Sequence, residues 1–154
     1  MIRSLVVLVG ALAFSPYHSV ADARLQPPHT ARSCKFSRHV KTIESLGSRP
    51  DLKDSLDRQG IAMADRGQPY ERTDVKSKES LGRMFLVALS SGDDVVVWYT
   101  QGGLVSSDHA VLLRMATGAV GNQYLVQGGT NFHGPFCMVS KAILGGVRSH
   151  GERY

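Results

Sequence analysis

The chain has 154 residues, is 42% apolar and carries a formal charge of +5, which suits a single domain built around one core. Its Lys and Arg residues are spread thinly, with no dense basic run and no basic stripe interleaved with aromatics, so a nucleic-acid-binding signature is excluded. What the mild positive excess favours is encounter with acidic partners such as anionic lipid head groups or cell-wall polymers.

Residues 1–23 have the three parts of an export signal. Arg3 gives a positive start, Leu5 to Phe14 is an apolar run, and Ala21-Asp22-Ala23 offers a small-x-small cleavage site before Arg24. A run of about ten residues is too short for a bilayer core, which needs roughly 20. The expectation is therefore an exported protein, periplasmic or extracellular, with no membrane span in the mature chain. Arg3 and Asp22 cancel, so cleavage leaves the net charge unchanged.

Residues 24–32, with Pro27-Pro28, read as a flexible lead-in. A single domain is expected over 33–146, followed by a polar tail over 147–154. From Ser33, the spacing of Phe36, Val40 and Ile43 predicts one helical stripe, stopped by Gly47. Ser48, Pro50, Leu52, Leu56 and Gly60 predict a second short helix with its cap, first turn, apolar face and terminator. Residues 62–80 are mostly polar, with isolated Met63 and Val75 and a turn at Gly67-Gln68-Pro69, and read as a loose loop.

Four strand-like runs follow: Met84 to Leu89, Val95 to Tyr99, His109 to Met115 and Tyr124 to Gln127. Turn signals at Ser91-Gly92-Asp93-Asp94, Gly102-Gly103 and Gly118 to Gly121 make successive strands antiparallel neighbours. Nearly continuous apolar runs imply a sheet covered on both faces. Cys137 to Leu144 is short and apolar and is read as a fifth strand in preference to a helix, ended by Gly145-Gly146. The fold class expected is α+β, with two short N-terminal helices packed on a four- or five-stranded antiparallel sheet.

Two cysteines, Cys34 and Cys137, form one predicted disulfide in an oxidising compartment. The competing chemistry is a thiol hydrolase. Cys34 at a helix start, His109 on a strand and Asn122 as orienter follow an order that resembles papain-like and cell-wall peptidases. The aromatic neighbour of those families' cysteine is absent here. Serine chemistry finds no G-x-S-x-G, and Ser107-Asp108-His109 is contiguous, which keeps all three side chains from lining up as a triad. The histidines of the mature chain (His29, His39, His109, His133, His150) show no ligand spacing, so no metal is expected. Phosphate-binding loops and dinucleotide fingerprints are absent, so no cofactor is expected either. The candidate ligand surface comprises Trp98, Tyr99, Phe132 and His133, drawn from one strand and from the loop Gly128 to Phe136. The function expected is a non-enzymatic binding module for a protein or glycan of the cell envelope, with cell-wall peptide hydrolysis as the alternative.

Overall fold

The computed structural model describes residues 34–73, 81–118 and 121–149. The export signal, the lead-in and the end of the polar tail lie outside the described residues. Strands β1 (Lys41–Ile43), β2 (Arg83–Ser91), β3 (Asp94–Gln101), β4 (Ser107–Gly118) and β5 (Gly121–Val126) form one antiparallel sheet in the order β1-β2-β3-β4-β5. The helices are α1 (Pro50–Arg58), preceded by a 3-10 turn at Leu46–Ser48, and α2 (Phe136–Leu144).

Period-two alternation divides the core into two layers. Phe85, Ala88, Val95, Val97, Tyr99, Val111, Leu113 and Tyr124 face one side, beneath Leu52 and Leu56 of α1 and the flanking Leu46, Ile61 and Met63. The other side carries Leu86, Val87, Val96, Trp98, Ala110 and Leu112, covered by Phe136, Val139, Ile143 and Leu144 of α2, with Phe36 and Val40 beside them. Both faces are thus buried, one under each helix.

Two expected elements differ. The stretch from Ser33 to Gly47 holds no α-helix among its described residues; it contains β1 and the start of the 3-10 turn. Val40 and Ile43 are three apart, so they share a face in a helix and oppose each other across a strand. Here Val40 packs on the α2 face and Ile43 on the α1 face. The segment from Cys137 to Leu144, expected as a strand, is α2. Its buried residues Phe136, Val139, Ser140, Ile143 and Leu144 recur with a helical period. Apolar Met138, 63% exposed on the outer side, disguises that period in the sequence. The second predicted helix is present as α1, with Pro50 in its first turn and Gly60 past its end at φ +73°.

β2 and β4 each have a divided outer edge. β2 pairs with β1 over Ala88 to Ser90 and with Ala64 at Met84; β4 pairs with β5 from Leu113 onward and with Phe132 at Ala110. Covering edges in pieces leaves little of β2 or β4 open to strand addition. The Ala64 contact also means that the start of the polar stretch 62–80 is anchored, since Met63 and Ala64 are buried. Residues 74–80 lie outside the described residues. Cys34 and Cys137 are joined by a disulfide, with Cα atoms 5.4 Å apart, which fastens the N-terminal segment to α2.

Candidate functional site

The bulge in β2 shapes a concavity on the α2 side of the sheet. Register slips between Phe85 and Val87, so Phe85 opposes Tyr99 and Val87 opposes Trp98, leaving Leu86 as the extra residue. Strict alternation would send Leu86 and Val87 to opposite faces, whereas the bulge sends both to the α2 side. There they meet Trp98, Gly134, Pro135 and Phe136 around a pocket of about 280 Å³ whose one ionisable lining group is Asp108. Trp98 lies 5.1 Å from Phe136 between ring centroids and donates from Nε1 to Ser140 Oγ at 2.9 Å, which fixes the indole plane. Thr100 Oγ1 donates to Asp108 Oδ1 at 2.6 Å and orients the carboxylate. Gly134, at φ +133°, forms the rim in a conformation L side chains rarely adopt. The β3–β4 connection carries Leu104 and Val105, 94% and 82% exposed.

The α1 side of the same sheet end is polar. Ser107 and His109 share that face because they are two apart in β4, while Asp108 between them points to the pocket. Ser107 Oγ lies 2.8 Å from His109 Nε2, and His109 Nδ1 lies 3.2 Å from Asn131 Oδ1. In the tautomer that carries its proton on Nδ1, the ring donates to the amide oxygen, which only accepts, and Nε2 accepts the serine hydroxyl. Tyr99 stacks on His109 at 5.6 Å, His133 stands edge-on to it at 6.2 Å, and the Arg83 guanidinium lies 5.9 Å from the Tyr99 ring. The result is a hydroxyl, an imidazole and an orienting amide linked in a row.

The three residues expected for thiol hydrolysis are not brought together. Cys34 is bonded to Cys137 and packs on the α2 face, whereas His109 lies on the α1 face. Asn122 pairs with Thr117, eight residues along β4 from His109, which is roughly 26 Å at about 3.3 Å per residue. Trp98 and Tyr99, candidates for a ligand surface, do point to opposite faces, but both are buried because both faces of the sheet are covered. Trp98 reaches a ligand only as a wall of the pocket. Phe132 is half-buried against the α2 layer, and His133 is exposed. Asp108, Phe136 and Asn131 are not among the site residues expected from the sequence. Alternation along a strand would have separated Ser107 and His109 from Asp108; the β2 bulge has no such signal.

A second concavity, about 310 Å³, lies beside the disulfide and is basic, lined in part by Lys35, Arg38 and Lys141. Arg38 donates to the Leu144 carbonyl and faces Asp94 at 3.8 Å, so its charge serves the end of α2. Away from these sites, Arg49 donates to Asp51 and to the Tyr124 hydroxyl, which ties the start of α1 to β5. The Asp51 contact is the main reason the guanidinium holds its proton more tightly than usual, against a smaller effect of burial. Among the described residues, no cluster of three or more His, Cys, Asp or Glu is placed to hold a metal ion. Among them, too, no helix is long and apolar enough to cross a membrane. Comparison with protein families, curated proteins and solved structures finds no match to this chain.

Proposed function

We propose that this chain is an exported binding module whose ligand-accepting site is the pocket between β2, β3 and the start of α2. One observation carries the proposal: a bulge-shaped apolar pocket with a single, oriented carboxylate. At about 280 Å³ it falls just short of the roughly 300–1,000 Å³ typical of drug-sized ligands. Its occupant is therefore one small molecule, or one side-chain-sized group of an envelope protein or glycan. A macromolecular partner would also cover the exposed Leu104 and Val105. The disulfide supports export, since oxidising compartments maintain such bonds.

The chain has a single tryptophan, so Trp98 emission reports on the pocket directly. Small aromatic probes should change that emission saturably. Linear, unsaturable responses to every probe, whatever its charge, would sink the proposal.

The α1 face supports a second function, serine-type acyl hydrolysis, because Ser107, His109 and Asn131 have the mutual geometry of nucleophile, base and orienter. On that account, a fluorophosphonate probe should label Ser107, and labelling should vanish in Ser107→Ala and His109→Ala. An unlabelled wild-type protein would leave binding alone.

A further inference from the structure

We infer that the pocket selects a small organic cation: an ammonium group on an apolar, ring-sized body. The inference rests on the binding proposal above and adds the ligand's charge. Trp98, Phe136, Leu86 and Val87 supply apolar walls, and Asp108 is the only charged group among the lining residues. Of the two Asp108 oxygens, Oδ1 accepts from Thr100. Among the described residues, no ion pair reaches this carboxylate. A carboxylate held beside an apolar cavity, oriented and with no counter-ion among the described residues, favours a positive ligand and disfavours a negative one. Neighbouring polar groups do not compete from within the sheet, since Ser107 and His109 project to the opposite face. The Arg83 guanidinium stands over Tyr99 on the α1 face, and that of Arg72 over Tyr70 beside a separate concavity.

Three probes with one body and three charges test this: benzylammonium, benzyl alcohol and phenylacetate, each titrated against Trp98 emission at neutral pH. Benzylammonium should bind at least tenfold more tightly than benzyl alcohol, and phenylacetate more weakly than either. In Asp108→Asn the cation's advantage over benzyl alcohol should shrink to about twofold or less. Asp108 is exposed, so the variant should fold, and an unchanged melting temperature checks that it does. Equal affinity for the three probes, or an undiminished cation preference in Asp108→Asn, would overturn the charge selection and leave the pocket standing. No saturable binding by any of them would overturn both.

Discussion

Asp65 sits in a stretch that composition marks as loop, yet it organises the approach to α1. Its carboxylate accepts from the Ser45 hydroxyl at 2.6 Å and from the backbone N–H groups of Leu46 and Gly47 at 3.0 Å, and also from that of Arg66. Burial pushes its pKa up, but these donors together outweigh it and hold the carboxyl below its ordinary value. A carboxyl depressed in the folded state stabilises above its unfolded value, near pH 3.9, and that contribution is lost as pH falls through the folded value. Asp65→Ala should therefore cost about 1–2 kcal/mol at pH 7, measured by urea denaturation. The deficit should narrow below about pH 4. A deficit independent of pH would mean the aspartate acts through packing alone. The sequence hides this role because Ser45 and Asp65 are 20 residues apart and nothing local links them. Trp98 and Tyr99 differ: their opposite directions follow from adjacency in a strand, while their burial depends on what covers each face.

At the level of elements, β2 to β5 and α1 were legible because each carries its own signal: β-branched runs bounded by glycine turns, or a proline start with leucines four apart. β1 has only three residues and is stabilised by the edge of β2, so its strand character comes from its neighbour. α2 was obscured because its apolar outer residues erase the polar half of the helical pattern. The pocket was the least legible feature, since it needs the β2 bulge and two segments far apart in sequence. α2 also meets a demand of the sheet. Ser140 is fully buried and accepts the Trp98 indole N–H. Ser140→Ala keeps the helix but leaves that donor buried without a partner, which should cost about 1–3 kcal/mol. Urea unfolding followed by Trp98 emission measures this. A change below about 0.5 kcal/mol would mean that the indole finds another acceptor.

For the whole molecule, the two helices are attached to the sheet in different ways. α1 lies between β1 and β2 in the chain and is pinned by Arg49 to Tyr124 and by Gln59 to the backbone of β5. α2 follows the last strand, and the Cys34–Cys137 bond ties it to a segment 103 residues earlier. On the chain-entropy account, closing a loop of that length restricts the unfolded chain by about 4–5 kcal/mol. Small domains have about 5–15 kcal/mol in total, so the bond is a large share. None of the paired residues in β2 to β5 is a cysteine, so the sheet's hydrogen-bond ladder does not itself require the bond. The double variant Cys34→Ala/Cys137→Ala should therefore keep its strand signal in far-UV circular dichroism while losing about 3–5 kcal/mol to urea. Because α2 forms the cover over Trp98, the loosening should be felt there first: Trp98 emission should shift to longer wavelength, and amide exchange should rise in α2 before α1. Equal rises in both helices would make the core one cooperative unit with no weaker face. A loss below about 1 kcal/mol with unchanged emission would show that packing alone holds α2 in place and that the disulfide adds little to the folded state.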